Sequence, residues 1–455
     1  MIARTSAAAV VVSLGLASGC GDNEPPPCGD GYHVCDGQIR DPEGRALVLR
    51  GVNLAGAHKH APYTDDFTPA HYAQLHTWGF RTLRFLISWA AIEPAPGTYD
   101  DAYLDWVAAR MQWAHDAGLV VILDMHQDVY GEGFGFGGAP RWTCDAAHYA
   151  AFVPREPWLL NYADSHVLAC FDHLWTDDEL QGSFARMWRH VAARLATEPA
   201  IIGFDPINEP HWGTHPVAAF ERERLQPFYD RVIREVRAHV PWIVFAEPSA
   251  SRNLGFASQL APFAIDNVVY APHMYDPGAE VSGEFDAVRR ENLLATATDL
   301  RADAERLGVP LWIGEYGGIG TSPQIGAYMD AAYDGAAAAF AGTMYWAFDK
   351  GGGYGLLDPD GDEVTPLVDA IVRPYPARIA GAPTAWEYDE AARRLTVAWA
   401  PDPEVTAPTV IVTPARVYPG GVTVDCGGCT HEIADGEVRI EPIAGATATV
   451  TITPR

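Results

Sequence analysis

Positive charge is what this chain has least of. Lysine and arginine together number 31 against 59 aspartates and glutamates, a formal charge of −28. So acidic a surface repels nucleic acid and anionic membrane faces, and nucleic acid is not an expected partner. Long apolar runs are missing too: residues 8–16 fall well short of the ~20 that a spanning helix needs. No long segment has the composition of a disordered chain. The Gly351-Gly352-Gly353 run lacks the lysine and the strand-to-helix setting of a phosphate loop, and reads as a flexible rim. What the chain has in plenty is core material, with 48% hydrophobic residues including 14 Trp, 19 Tyr and 17 Phe. Its 455 residues are enough for two or three domains, although a barrel absorbs about 250 as one.

At the N-terminus, Arg4, a short apolar run and Ala17-Ser18-Gly19-Cys20 form an export signal, expected over residues 1–20. Ending in cysteine, it resembles a bacterial lipoprotein signal, in which Cys20 is lipidated after cleavage. Ala17 stands where such signals usually carry Leu, and an ordinary signal peptide with a chance cysteine is the alternative. Residues 21–40 then read as a polar, Pro-rich tether with a small disulfide loop. The expected location is the cell envelope, or the medium. Beyond Cys20 six cysteines remain, and an even count in an exported chain points to disulfides. Proximity pairs Cys28 with Cys35, Cys144 with Cys170 and Cys426 with Cys429. A structural zinc site is the weaker reading, because Cys426-Gly427-Gly428-Cys429 is a Gly-rich turn with no second pair of suitable spacing.

Eight apolar, β-rich segments occupy 48–54, 82–89, 120–126, 201–208, 242–247, 268–275, 311–316 and 343–348. Most are continuous apolar runs, the mark of strands covered on both faces. Helical patterns lie between them at 101–117, 180–196, 218–240, 287–307 and 325–337. Alternation to a count of eight predicts an α/β fold, a closed parallel (β/α)8 TIM barrel over 41–375. An open doubly wound sheet would have fewer strands and one switch-point loop. Arg84, His126, Asn208, Glu209, His273, Tyr275, Glu315 and Trp346 fall within or just past the strands, mostly toward the C-terminal ends where barrels build active sites. The longest insertion, 130–175, follows the third strand and is expected above the mouth. Its Phe134, Phe136, Trp142, Trp158, Phe171 and Trp175 either face a ligand or form the loop's own core.

After about residue 371 the pattern changes. Prolines punctuate a linker, and short strands at 395–399, 409–412, 422–424, 437–440 and 447–452 predict a β-sandwich over 376–455. Few of its aromatics look exposed beyond Trp386, Tyr388 and Tyr418, which favours a structural role.

Two carboxylates interrupt apolar strands: Glu209 in Asn208-Glu209-Pro210 on strand four, and Glu315 in Gly314-Glu315-Tyr316-Gly317 on strand seven. Buried glutamates need a partner or a task. Two carboxylates facing across a mouth suit glycosidic hydrolysis, one protonating the leaving oxygen and the other acting on the opposite face of the sugar. Other readings compete locally. His126 with Asp124 and Asp128 offers metal ligands, though nothing else in the pattern needs a metal or cofactor, and neither is expected. Glu93 reads as a loop-structuring residue, and Glu247 as a buried carboxylate that binds substrate or ties loops.

Over about residues 47–370 the chain resembles glycoside hydrolase family 5, through the two glutamate motifs, His273-Met274-Tyr275, Tyr345-Trp346, Arg84 and His126. The resemblance implies retaining chemistry, with Glu209 as acid/base and Glu315 as nucleophile. It implies that Asn208 bonds the sugar 2-hydroxyl, Tyr275 orients the nucleophile and His273 holds the acid/base. Arg84 would support the nucleophile's charge, His126 would bind the glycone and Trp346 would form its stacking floor. A finer resemblance is to the endoglycoceramidases, through Gly51-Val52-Asn53, Asp124-Met125-His126-Gln127-Asp128-Val129-Tyr130, the Gly-Gly-Ala-Pro-Arg-Trp run ending at Trp142, and Pro414-Ala415-Arg416-Val417-Tyr418-Pro419-Gly420-Gly421. It implies a glycolipid substrate cut between glycan and ceramide, with Lys59 and Asp128 near the first sugar. Cerebroside, steryl glucoside and polysaccharide stay open as alternative substrates. A catalytically dead sugar-binding lipoprotein would be expected to have lost one of the two glutamates. A monomer is the default expectation.

Overall fold

The computed structural model describes residues 31–455. The export signal, the lipidation candidate Cys20 and the pairing proposed for Cys28 with Cys35 lie outside the described residues or depend on them. Of the other two pairings, both are formed: Cys144–Cys170 and Cys426–Cys429.

Eight parallel strands form the barrel, at Arg50–Leu54, Thr82–Ile87, Val120–Met125, Ile201–Asp205, Ile243–Ala246, Val268–Tyr270, Trp312–Tyr316 and Gly342–Phe348. Isolated parallel bridges, Tyr270 to Leu311 and His273 to Glu315, join the sixth strand's line to the seventh and close the circle. The helices bury the stripes their spacing dictates. In Asp178–Arg194, Asp177 caps the first turn by accepting from the Leu180 amide at 2.7 Å, and Leu180, Phe184, Trp188 and Val191 face inward.

Strand alternation layers the interior. On the third strand Ile122, then Asp124, point into the barrel; on the fifth, Ile243 and Phe245 are followed by Glu247 just past its end. The lower layer is apolar, with Ile122, Ile202, Phe245, Trp312 and Met344 in one cluster that Ile39 joins from below. Charge is confined to the layer above it, at the C-terminal ends.

The terminal unit pairs a seven-stranded sheet with a four-stranded one around Trp386, Val397, Trp399, Ile411, Val438 and Val450. Its larger sheet takes three strands from the other end of the chain: His33–Cys35, Gln38–Arg40 and Ala46–Leu47. Residues 33–40, read from sequence as tether, are therefore part of the sandwich, and two- or three-residue strands are too short to display alternation. Strand Gly381–Asp389, also unread, is buried at only two of its nine positions and gives no apolar run. The sandwich touches segments that lead into barrel strands, with Pro414 against Gly79 and Trp386 against Phe340. It caps the face opposite the mouth. Trp386, Trp399 and Tyr418 are buried, leaving those rings unable to stack on a sugar.

Candidate active site

Arg84 organises the charged layer. Fully buried on the second strand, it donates from Nη1 to Glu315 Oε1 at 2.7 Å and to Asn53 Oδ1 at 3.1 Å. Its Nη2 lies 2.8 Å from Asp205 Oδ2, 2.9 Å from Glu247 Oε1 and Asn208 Oδ1, and 3.0 Å from Asp124 Oδ1. Burial opposes the guanidinium charge, but Asp124, Asp205, Glu315 and Glu247 outweigh it and hold the proton on Arg84 more tightly than usual. One cation cannot balance four carboxylates. Burial, and then the neighbouring Glu247, push the Asp205 carboxyl far above the ordinary carboxylate range, against the pull of Arg84. His273 supplies a second cation. Burial disfavours its charge, yet Glu247, Glu315 and Glu209 raise it well above a free imidazole. Its Nδ1 is 2.8 Å from Glu209 Oε1 and its Nε2 is 3.1 Å from Glu247 Oε1, so both ring nitrogens face carboxylates, as an imidazolium requires.

Glu315 sits where the register shifts between Ile313 and Tyr316, a local break in the pleat that aims its carboxylate into the mouth. Tyr275 donates its hydroxyl to Oε2 at 2.8 Å. Burial raises the Glu315 proton affinity, His273 and Arg84 lower it, Glu209 raises it again, and the balance lies above the ordinary value. Glu209 is held in a left-handed backbone conformation, φ 42°, in the turn that follows the fourth strand. Its amide donates to Glu247 Oε2 at 2.8 Å, its carbonyl accepts from Gln127 Nε2 at 3.1 Å, and Asn253 donates to its Oε1 at 2.7 Å. Carboxylate oxygens of Glu209 and Glu315 approach within 4.8 Å. That separation suits direct attack by one of them and leaves no room for an inverting water, which needs roughly 6.5–9.5 Å.

Beside the pair lies a polar pocket. His126 Nδ1 meets Asp124 Oδ2 at 2.8 Å, and its ring stacks on Trp346 with centroids 5.3 Å apart. Lys59 Nζ lies 2.7 Å from Asp128 Oδ2 and 4.3 Å from the centre of the Trp346 ring. Burial and Lys59 work against a charge on His126, but Asp124 and Asp128 win and raise it. Burial also opposes the charge on Asp128, and Lys59 and His126 reverse this, holding the carboxyl far below its usual range. Asp124 and Asp128 each meet a cation besides His126, so the suspected metal ligands are ion-paired among protein groups. Gly137 explains part of the glycine-rich loop: a Cβ there would lie 2.5 Å from the Lys59 carbonyl, so the loop can pack against the segment carrying Lys59.

All ten residues singled out in the sequence come together at this mouth. Glu93, by contrast, accepts from Trp89 Nε1 and the Gly97 amide and orders its own loop. Phe134 and Phe171 belong to the core of the long insertion, whereas Trp158 is exposed. Sequence reasoning gave no role to Asn53, Asp205, Asn253, Glu280 or Tyr162. Asn53 had a signal as the end of the Gly51-Val52-Asn53 motif, and Asp205 as a carboxylate at the end of an apolar strand. Asn253, Glu280 and Tyr162 look like ordinary polar residues outside the strands.

A (β/α)8 barrel presenting two carboxylates this close, one on the fourth strand end and one on the seventh, is the apparatus of a retaining glycoside hydrolase. Residues 41–352 match the family described as cellulase (glycosyl hydrolase family 5), and residues 373–453 match the glycoside hydrolase family 5 C-terminal domain. The chain belongs to glycoside hydrolase family 5. Endo-glycoceramidase II from Rhodococcus sp. superposes with a TM-score of 0.82 at 34% identity, covering 92% of this chain and 99% of that one. The same enzyme in its ganglioside GM3 complex gives a TM-score of 0.83 at 33% identity, over 92% and 100% of the two chains. Endoglycoceramidase I of Rhodococcus hoagii is 28% identical over 450 residues, 93% of this chain and 87% of that one. A glucosylceramidase of Aspergillus fumigatus is 29% identical over 243 residues, 39% of this chain and 32% of its own.

Proposed function

We propose that this chain hydrolyses the bond between glycan and ceramide in glycosphingolipids by double displacement. The observation that carries the reading is the full-length similarity to endo-glycoceramidase II, at 34% identity over 99% of that chain, in a protein whose polar sugar pocket adjoins a carboxylate pair. Glu209 gives its proton to the glycosidic oxygen as Glu315 attacks the anomeric carbon, and ceramide leaves as the alcohol. The glycan is then held on Glu315 as an ester. Water adds its oxygen to the same carbon, Glu209 takes the water's proton, and Glu315 is released as a carboxylate.

The supporting groups divide between the two sides. Arg84 and the Tyr275 hydroxyl bond the charge that Glu315 carries before attack and regains after hydrolysis. His273 and Asn253 fix the Glu209 carboxyl, and Asn208, anchored by Arg84 and Gln127, presents its amide to the 2-hydroxyl. Trp346 is the floor of the first sugar site, and His126, Lys59 and Asp128 bond its hydroxyls. Esterification of Glu315 removes a negative charge from beside Glu209, which favours its change from acid to base.

Residues 1–20 direct export, and Cys20 carries the lipid that anchors the protein at the cell envelope. The sequence ending in Ala17-Ser18-Gly19-Cys20 supports this. Radiolabelled palmitate incorporated by the expressed full chain and lost in Cys20→Ala is the expected result; equal labelling of both overturns the anchor.

Product analysis by mass spectrometry tests the activity on a long-glycan ganglioside, galactosylceramide, glucosylceramide, a steryl glucoside and cellopentaose, with Glu315→Gln as the blank. Free ceramide with an intact oligosaccharide is expected. Ceramide from the monohexosyl lipids alone moves the assignment to a cerebroside-type enzyme. Cleavage of cellopentaose with every lipid untouched replaces it with a polysaccharide hydrolase.

A further inference from the structure

Large apolar side chains that remain exposed are not scattered over this molecule. Among the described residues, all but Ile433 lie in the connections that follow the third, fifth and sixth barrel strands. They include Trp158, Leu159 and Leu160 on the long insertion, Leu254 and Phe256 after the fifth strand, and Val281 after the sixth. Exposure is 49% for Leu160, 52% for Phe256 and 66% for Val281. All of these segments belong to the C-terminal rim, the face that holds the mouth.

Each segment is also tied to the catalytic pair through a neighbour in sequence. Tyr162, in the same short helix as Trp158, lies close enough to Asp128, Glu209 and Glu315 to feel their charges. Asn253, beside Leu254, donates to Glu209. Glu280, beside Val281, is influenced by Glu209 and Glu315. The exposed apolar side chains therefore border the opening on the connections after the third, fifth and sixth strands, and groups exposed to this degree do not line the buried site. We propose that this rim is an interfacial docking surface, which rests the mouth against an uncharged or zwitterionic lipid layer while a glycolipid headgroup enters. The inference rests on the glycosphingolipid reading above.

Charge selects the occupant. An anionic bilayer would call for basic residues on the rim, as electrostatic adsorption depends on Lys and Arg. The rim segments 152–163, 253–258 and 280–288 carry Arg155 as their one cation, against Glu156, Glu280, Glu284 and Asp286. Both lysines of the chain are engaged elsewhere, Lys59 with Asp128 and Lys350 with Asp66. Attraction to a lipid surface is thus left to the apolar area and to Trp158, a residue type that favours the boundary between headgroups and acyl chains.

The test uses residues 21–455 and the triple variant Leu160→Ser/Phe256→Ser/Val281→Ser. Both are sedimented with phosphatidylcholine vesicles lacking any glycolipid, and both are assayed on a soluble aryl β-glycoside and on vesicle-embedded ganglioside. Vesicle binding of the parent, at least about tenfold weaker in the variant, is expected. So is a drop of similar size in turnover of embedded ganglioside, with the aryl glycoside hydrolysed within about twofold of the parent. Failure of the parent to bind vesicles, or undiminished binding by the variant, overturns the proposal. Light scattering that finds a parent dimer and a variant monomer also overturns it, assigning the rim to a second copy instead. Binding without cleavage of any glycosphingolipid leaves the surface standing and removes the substrate assignment, so the two failures are distinguishable.

Discussion

Glu280 stands close to the catalytic pair without belonging to it. Burial, then Glu209 and Glu315, push its carboxyl up to about 7. It is neutral in mildly acidic solution and ionises near neutrality, where its new charge discourages proton loss from the neighbouring acid. In Glu280→Gln that charge is absent, so the alkaline limb of kcat/KM moves to lower pH, by about half a unit. A limb that stays in place separates Glu280 from the reaction. Folding obeys the same sign. A raised carboxyl favours the folded state below the unfolded value near 4.5 and loses that contribution as pH rises through about 7, so urea midpoints of the variant are flatter across this window. Arg84 gives a second prediction at this scale. Arg84→Met leaves Asp124, Asp205, Glu247 and Glu315 without their shared cation. Unfolding free energy falls by about 3–5 kcal/mol, measured by urea titration, as when a buried ion pair loses one partner. The two reacting glutamates and Arg84 were legible in sequence because charge inside an apolar strand must have a purpose. Asn253 and Glu280 were not, since nothing local distinguishes a polar loop residue that reaches an active site from one that reaches water.

Among the elements, the insertion after the third strand is held by ties of its own. Its Tyr130 hydroxyl donates to Thr143 Oγ1 at 3.0 Å, Phe134 packs against Tyr149 and Phe152, and Cys144–Cys170 closes a span of 26 residues. Closing a loop of that length restricts the unfolded chain by roughly 3 kcal/mol. Cys144→Ser/Cys170→Ser is expected to lower stability by about that amount and to expose residues 152–163 to proteolysis first, read by mass spectrometry of the early fragments. Cleavage elsewhere in the barrel would place the weak point outside this loop. The barrel strands were readable because each is a run of apolar residues buried on both sides, as Val121, Ile122 and Leu123 are. The five helices read from the sequence were placed to within a few residues, whereas Pro69–Trp78, Ser165–Thr176 and Thr365–Ile371 were not read. Where periodicity failed, it failed for want of length or burial: His33–Cys35 has three residues and Gly381–Asp389 is buried at only a few positions.

At the scale of the whole molecule, the first strands of the described chain share one sheet beneath the barrel with strands that follow it, Tyr375–Ile379 among them. Ala46 pairs with Ile379 and Leu47 with Arg378, so the sandwich is not a separate appendage of the last eighty or so residues. Its junction with the barrel is ionic as well as apolar. Arg81, leading into the second strand, meets Glu437 with Nη2 to Oε1 at 3.0 Å and Nε to Oε1 at 3.1 Å. Burial alone would raise the Glu437 carboxyl, but Arg81 reverses this and holds it below the ordinary value. A depressed carboxyl contributes stability that is fully present above the unfolded value near 4.5 and disappears as pH falls through the folded value. Glu437→Gln is therefore expected to lower the Tm at pH 7. The difference from the parent should shrink steadily below pH 4.5, as both proteins come to hold a neutral side chain opposite Arg81. Scanning calorimetry from pH 7 to 3 reads this directly. A gap that stays constant with pH would mean that Glu437 acts through packing, and that the apolar contact of Pro414 with Gly79 carries the junction in its place.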